Sequence, residues 1–243
     1  MPNEMPLNAT AATAEAAASA TAMAAPREIP NNKTGLPLAH YREKFAAADP
    51  AVMAARSGIA YSAQRRAFTF HFLKRPIEIL WPSMDVRYVE VAHAEAPEAF
   101  PAAPAPALSD YAQILLSRLV IERQLVPTAG KFKAYAEMPW GQEYLGAFHG
   151  RCIMRLTYRF RNGEAFAAAC EAAGGVRVDE SANQAFEFEF IDGLFVRLLY
   201  WERDDEFPPA AQILFSDNFE LAFTAEDMAV VGDLLIGALP RTR

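Results

Sequence analysis

The sequence has few of the residues that mark a metal centre or a cystine-rich fold. Its two cysteines, Cys152 and Cys170, are too few for a disulfide framework or for an all-cysteine zinc site held by this chain alone. Its four histidines lie in separate segments, and no two of them have the spacing of helical metal ligands. No apolar run approaches the roughly 18 residues that span a membrane. We therefore expect a globular domain without a membrane-spanning helix.

Motifs for nucleotide binding and for covalent catalysis are also missing. Gly130-Lys131 does not belong to a phosphate-binding loop, because Leu125 occupies the position of the first glycine and Phe132 replaces the hydroxyl residue. The chain contains no Gly-x-Ser-x-Gly motif and no dinucleotide-binding fingerprint. The sequence thus carries no catalytic signature, and whether the protein is an enzyme stays open, with the balance against it.

The charge balance limits the kind of partner. Lys and Arg number 23 against 30 Asp and Glu, which gives a net charge of -7. Duplex nucleic acid and anionic membranes attract proteins with a concentrated positive field. We therefore expect no nucleic acid and no membrane as a partner, and instead a small molecule or another protein.

The chain is predicted to consist of a tail and one domain. Residues 1–38 are predicted to be disordered, because they carry 11 alanines between Ala9 and Ala25 and almost no large apolar side chain. A secretory signal would place basic residues before a Leu-, Ile- or Val-rich run, whereas the first basic residue is Arg27. We therefore expect a cytoplasmic protein. Residues 39–240 are predicted to form a single domain, interrupted by an exposed Pro-rich loop at 94–108.

Apolar periodicity predicts an α+β fold with a mainly antiparallel sheet. Phe68, Phe70 and Phe72 alternate with polar residues and begin an N-terminal meander that extends to residue 91. Phe186 to Phe190 alternate in the same way and begin a C-terminal hairpin that turns at Asp192-Gly193. A period of 3.6 residues predicts several helices that pack on the sheet, over 110–126, 140–148, 164–173 and 224–238.

Two finer predictions concern the C-terminal half. A three-residue turn with Gly193 at positive φ would place Arg197 opposite Glu189, whereas a two-residue turn would place it opposite Phe188. We favour the first register, because it pairs opposite charges. The run from Arg151 to Leu156 is read as a strand.

The most distinctive composition is an acidic turn, residues 202–206, in which four of five residues are carboxylates. Adjacent carboxylates repel unless water screens them or a cation, arginine or proton neutralises them. We expect the flanking Trp201 and Phe207 to attach both ends of the turn to the core. Asp204, Asp205 and Glu206 would then form an all-oxygen site suited to Mg²⁺ or Ca²⁺. A solvated turn without a ligand is the alternative.

A second group of candidate residues lies around the predicted helix at 140–148. Trp140 and Tyr144, together with Trp201 and Phe207, are candidate walls of a ligand site whose acceptor groups are Asp204, Asp205 and Glu206. His149 and Arg151 place two polar groups at the end of this aromatic helix, where a pocket can open. A hydrogen-bonded structural histidine is the alternative reading for His149.

Several of these segments, taken together, resemble a prokaryotic family known as a domain of unknown function, DUF3786. The resemblance covers about residues 39–239, and its most distinctive element is the aromatic-Asp-Glu-Phe-Pro stretch that ends at Pro208. The segments that carry it are Tyr-Leu-Gly-Ala-Phe-His-Gly-Arg at 144–151, Ala-Ala-Gly-Gly at 172–175, the stretch 201–208, Leu-Phe at 214–215 and the helix start at 224–227.

The resemblance implies a single domain and no particular activity. Some relatives resemble fusions to an N-terminal iron–sulfur module, whereas the tail of this chain contains no cysteine. The family has the sequence Leu-Phe-Asp where this chain has Leu214-Phe215-Ser216-Asp217. If the family's aspartate has a function, that function either belongs to Asp217 in this chain or is absent.

Three functions are compatible with these residues. The first is an accessory domain that binds a small ligand or a divalent cation through the acidic turn. The second is a protein-interaction module that offers the turn to a basic partner. The third is a metal-assisted hydrolase with His149 as acid or base, which requires the helix end and the acidic turn to converge.

Overall fold

A computed structural model describes residues 35–90 and 101–241 of the chain. The first range contains two helices followed by four strands. They are α1 (Gly35–Ala47), α2 (Pro50–Ser57), β1 (Ala60–Ser62), β2 (Ala67–Phe72), β3 (Arg75–Leu80) and β4 (Asp85–Tyr88). A tail is predicted for residues 1–38, and residues 1–34 lie outside the described residues. Residues 35–38 belong to α1.

The first elements of the second range are helices and helical turns, with one short strand after the first helix. They are α3 (Asp110–Glu122), β5 (Phe132–Ala134), a 3-10 turn (Tyr135–Glu137), α4 (Gly141–Phe148), a π-helical turn (His149–Ile153) and α5 (Met154–Arg159). The remaining elements are α6 (Gly163–Ala172), β6 (Val176–Arg177), β7 (Gln184–Ile191), β8 (Leu194–Trp201), β9 (Ala210–Ser216), α7 (Phe219–Ala222) and α8 (Ala225–Ala238).

The described strands form one antiparallel sheet, which confirms the predicted α+β class. Its main path runs in the order β4-β3-β2-β7-β8-β9-β5, while β1 pairs with β2 and β6 pairs with β7. The predicted meander and hairpin are thus two parts of the same sheet, joined where Phe72 of β2 pairs with Ile191 of β7. Among the described helices, none is both long enough and apolar enough to cross a membrane.

The alternating phenylalanines supply the core as the sequence predicts. Phe68 and Phe72 of β2 and Phe186 of β7 are completely buried, and Phe188 is 2% exposed. Helix α6 packs on β7 and β8, and α5 packs on β9. Each strand therefore directs every second side chain toward the helices.

Helix starts follow local sequence. The carboxylate of Asp49 accepts hydrogen bonds from the backbone of Ala51 and Val52, and Pro50 occupies the first helical position of α2. Thr224 and Asp227 form a reciprocal capping box at the start of α8. Each cap satisfies amide groups that the first helical turn leaves without partners.

The favoured hairpin register is wrong. Asp192-Gly193 forms a two-residue turn flanked by the pair Ile191 and Leu194, and the register then shifts between Glu189 and Ile191. This bulge places Arg197 opposite Glu187, whose Oε2 accepts a hydrogen bond from Arg197 Nε at 2.9 Å. Gly193 has the expected positive φ of 75°. A carboxylate faces Arg197 as predicted, but two residues earlier in the chain.

The strand predicted at 151–156 is also wrong, because the chain there is helical from Gly141 to Arg159 through the π-helical turn. Cys152 and Leu156 are completely buried at a spacing of four residues, which is the spacing of one helix face. The apolar residues in this run are therefore compatible with both periods, and tertiary packing selects the helix.

The predicted Pro-rich loop lies partly outside the described residues. Its described end is attached to the domain, because Arg75 Nη2 donates hydrogen bonds to the carbonyl oxygens of Pro101 and Ala103 at 2.8 and 2.5 Å. Ala103 is only 7% exposed. Ala103 therefore packs against the domain, whereas Ala102, Pro104, Ala105 and Ala107 are exposed.

Asn218 connects three segments near the end of β9. It is 4% exposed, and its Nδ2 donates hydrogen bonds to the carbonyl oxygens of Val126 and Gly193 at 2.7 and 2.9 Å. Its Oδ1 accepts a hydrogen bond from Ser216 Oγ at 2.6 Å. One buried amide thus joins the segment after α3, the β7–β8 turn and the end of β9.

Candidate functional site

The acidic turn connects β8 to β9, and its conformation is set by Asp204. The Oδ1 atom of Asp204 accepts hydrogen bonds from the backbone amides of Glu206 and Phe207 at 2.8 and 2.7 Å. Trp201 attaches one end, because its Nε1 donates to the carbonyl oxygen of Ser181 at 2.8 Å. The expectation for the other end is wrong, since Phe207 is 65% exposed.

The carboxylates of the turn face solvent. Asp204, Asp205 and Glu206 are all exposed. Within residues 35–90 and 101–241, no three His, Cys, Asp or Glu side chains are grouped as ligands for a metal ion. Binding of Mg²⁺ or Ca²⁺ at the turn therefore stays a prediction.

Thermal unfolding tests that prediction directly. Replacing Asp205 by Asn and Glu206 by Gln should change the free energy of unfolding by only a few tenths of a kcal/mol each, because screened surface charges contribute little. If the turn binds a divalent cation, Mg²⁺ or Ca²⁺ should raise the melting temperature of the wild type and leave that of the double variant unchanged. A wild-type melting temperature that does not respond to either ion contradicts cation binding at the turn.

A cleft next to the start of β9 is a stronger candidate site, and we call it the β9 cleft. One side is the helical surface of Leu145, Phe148, His149 and Ile153, another is the β9 stretch 211–213, and the third is the chain at 134–136. Its volume is about 280 Å³. His149 and Gln212 bring polar groups into a lining that is otherwise mostly apolar.

Two stacked aromatic rings support the cleft. Tyr135 and Phe148 lie parallel with their ring centres 3.8 Å apart, and both are buried. The hydroxyl of Tyr135 donates a hydrogen bond to the carbonyl oxygen of Ala225 at 2.8 Å. Burial raises the pKa of Tyr135 to about 12, so the phenol stays protonated and keeps this bond at neutral pH. These two buried rings therefore form an uncharged part of the cleft wall.

The strand that borders the cleft has an incomplete set of neighbours. β9 pairs with β8 from Ala210 to Phe215, whereas β5 covers only Leu214 to Ser216 on the other side. Within the described residues, no strand pairs with that side of 210–213. Alternate residues of an antiparallel strand direct their amide and carbonyl groups to opposite sides. Part of this backbone thus presents hydrogen-bonding groups at an open edge.

Exposed aromatic residues lie on the helix that forms the cleft wall. Trp140 immediately precedes α4 and is 72% exposed, while Tyr144 is 46% exposed. The backbone of Trp140 has a φ of 65°, which is rare for a residue with a side chain. A Cβ atom at Gly141 would lie 1.9 Å from the carbonyl oxygen of Tyr135, so only glycine fits at this position. This close approach fixes the chain that presents Trp140 to solvent.

The π-helical turn separates the two polar residues that the sequence places together. His149 is exposed and lines the β9 cleft. Arg151 lines a different cavity of about 190 Å³ beside α3 and α8, where its Nη2 forms an ion pair with Asp233 Oδ2 at 3.0 Å. His149 therefore lies at the cleft, directly after the helix that carries Tyr144. Arg151 lies at another surface.

Neither cysteine has the environment of a nucleophile. Both thiols are buried, and burial raises the pKa of Cys152 to about 12 and that of Cys170 well above its usual value. A reactive cysteine requires an exposed thiolate.

We expect neither thiol to react with a disulfide reagent in the folded protein at mildly alkaline pH, and both to react after unfolding in guanidinium. Rapid reaction of either thiol in the native state contradicts their burial.

The open edge of β9 and the apolar lining of the cleft are not evident from the sequence. The open edge results from the mismatch between the three-residue β5 and the seven-residue β9, and neither length is evident from local patterns. The signal that was available is the exposed tryptophan next to glycine at 140–141, because Gly141 marks a close approach of two backbone segments.

Comparison with known proteins gives one match. The model of a family described as "Domain of unknown function (DUF3786)" matches residues 49–238. No curated protein and no solved structure matches the chain. The match covers most of the chain and both sides of the β9 cleft, and the chain therefore belongs to the DUF3786 family.

Proposed function

We propose that this domain is a protein-interaction module that binds a segment of another protein at the β9 cleft. The observation that carries the proposal is the combination of an apolar cleft with a tryptophan that is 72% exposed and held by a fixed backbone. Trp and Tyr side chains contribute much of the binding energy in protein interfaces. Trp140 and Tyr144 do not line the cleft themselves, but they are exposed just before and on the helix that forms one of its sides, and exposed aromatic residues are typical of a binding surface.

The same lining gives little support for hydrolysis. A hydrolase needs at least an acid or base and a second group that binds or activates the reacting atoms. His149 is the one imidazole in the cleft lining, and neither the carboxylates 202–206 nor any other carboxylate lines the cleft. Binding of a small ligand or a cation at the acidic turn is the second proposal. It is favoured by the two amides that hold Asp204 in place.

Selection from a random-peptide display library tests the interaction proposal with the full chain as the target. We expect enriched peptides to bind the wild type and to lose about tenfold or more in affinity when Trp140 is replaced by Ala or Leu145 by Glu. Leu221→Glu is the matched control, because Leu221 is 51% exposed on α7 and does not line the cleft. The proposal is wrong if the library yields no peptide whose binding depends on Trp140 or Leu145.

A further inference from the structure

We infer that the β9 cleft takes an extended segment with basic residues at its C-terminal end, and that this segment pairs antiparallel with the open edge of Ala210–Ile213. The inference rests on the proposed function, because it states how the partner binds and which chemistry it carries. Three observations support it: the open edge, the direction of the neighbouring strand and the negative charge that precedes the start of the open edge.

The open edge determines the conformation of the partner. β9 extends four residues beyond its pairing with β5, from Ala210 to Ile213, and an added strand would occupy the place where β5 ends. An extended segment satisfies the outward amide and carbonyl groups of this edge, which a helical partner cannot do. About four residues of the partner would pair, and alternate side chains would point toward the cleft.

The cleft favours aliphatic side chains at those alternate positions. Phe148 and Ile213 are 2% and 1% exposed, and both contribute to the lining. A cleft of about 280 Å³ holds branched aliphatic side chains, whose burial contributes about 1.5 to 3 kcal/mol each. Polar residues at the intervening positions would face away from the cleft.

The sheet indicates the direction of the partner. All described pairs in the sheet are antiparallel, including the pairing of β5 with β9 on the same edge. Antiparallel pairing is also slightly more stable per residue than parallel pairing. An antiparallel segment runs opposite to β9, so its C-terminal end lies next to Ala210, where β9 begins.

The acidic turn precedes the start of the open edge and carries negative charge. Residues 202–206 carry four carboxylates and one arginine, and they precede Ala210 by only a few residues. The carboxylates of Asp205 and Glu206 are exposed, and the bonds of Asp204 to the backbone keep the turn in one conformation. Lysine or arginine residues that follow the paired stretch of the partner would therefore approach a complementary charge.

Synthetic peptides test the binding mode, with backbone amide signals of the isotope-labelled full chain as the readout. The probe is Thr-Val-Thr-Val-Lys-Lys-Arg with blocked ends. The controls are the reversed sequence, the sequence with three glutamates in place of the basic residues, and the probe with both valine amides and both threonine amides methylated. Methylation leaves the side chains unchanged and removes the hydrogen-bond donors of the guest strand.

We expect the probe to shift the amide signals of Ala211 to Ile213, with about tenfold weaker binding for the reversed and glutamate peptides and none for the methylated peptide. The variant Asp205→Lys with Glu206→Lys should weaken binding of the probe in the same way. The control variant Glu43→Lys with Glu90→Lys should not, because these exposed carboxylates lie on α1 and beyond β4 at the opposite edge of the sheet.

The possible failures are distinguishable. Equal binding of the methylated peptide in the cleft overturns strand pairing, and equal binding of the glutamate peptide overturns the basic partner; both results leave a peptide-binding cleft. If none of these peptides shifts the signals of 210–213, the inference is wrong. The display selection then decides separately whether the cleft binds proteins in another way.

Discussion

Replacing Phe188 by Ala is expected to cost about 3 to 5 kcal/mol of unfolding free energy, because the ring lies in the closed core. Phe188 is 2% exposed, and a Cβ atom at Gly175 would lie 2.6 Å from its Cζ atom. The ring of Phe188 is therefore tightly packed by its neighbours. Its removal leaves a cavity in the core. Urea unfolding followed by circular dichroism measures the loss.

Phe195→Ala is the matched control for this prediction. Phe195 lies on β8 in the same hairpin, but it pairs with Glu189 on the other face of the sheet and is only partly buried. Its removal should cost clearly less than the removal of Phe188, because less apolar surface is buried. Equal losses for the two variants would contradict the assignment of the core face.

Replacing Asn218 by Ala is expected to cost about 2 to 4 kcal/mol, because the change leaves several buried polar groups without partners. The carbonyl oxygens of Val126 and Gly193 lose a donor, and the Ser216 hydroxyl loses an acceptor. Each such group then bears its cost of desolvation. Chemical denaturation of the variant measures the effect.

Asn183→Ala provides the comparison. Asn183 is exposed, and its Oδ1 accepts one hydrogen bond, from the backbone of Glu202 at 2.8 Å. Water replaces this bond when the side chain is removed, so we expect a loss below about 1 kcal/mol. A loss for Asn218→Ala as small as that for Asn183→Ala would show that the buried amide does not hold the three segments together.

The parts of the fold that local patterns encode are predictable from the sequence. Phe68, Phe70 and Phe72 alternate, and all three are buried. Asp49 with Pro50 begins α2, and Thr224 with Asp227 begins α8. These features depend on neighbours within four residues along the chain, so that the sequence alone contains the necessary information.

The features that the sequence does not predict correctly depend on contacts between distant segments. The bulge between Glu189 and Ile191 changes the hairpin register, and no residue type at that place requires it. The helical state of 151–156 is selected by packing of Cys152 against α8, where the Sγ atom lies close to Gly232. The β9 cleft depends on where β5 stops pairing with β9, which is a long-range property.

The positions of some candidate residues follow from local sequence patterns, and the positions of others do not. His149 reaches the β9 cleft, because the helical run through α4 carries it there, and this follows from the aromatic helix predicted at 140–148. Arg151 reaches a different cavity, because side chains two residues apart on a helix point to nearly opposite sides. Phe207 projects into solvent, although its apolar character suggested an anchor.

The π-helical turn has a consequence for how this surface can change. Each residue of a helix adds a rotation of about 100°. Cys152 and Leu156 are fixed in the core, whereas Tyr144 and Leu145 lie on the other side of the turn and are partly exposed. Loss or gain of one codon within His149–Ile153 would therefore rotate Tyr144 and Leu145 about the helix axis relative to Cys152 and Leu156, and the buried ring of Phe148 would have to repack with them. Length variation in this single turn would thus change the exposed recognition surface together with the packing of Phe148 on Tyr135.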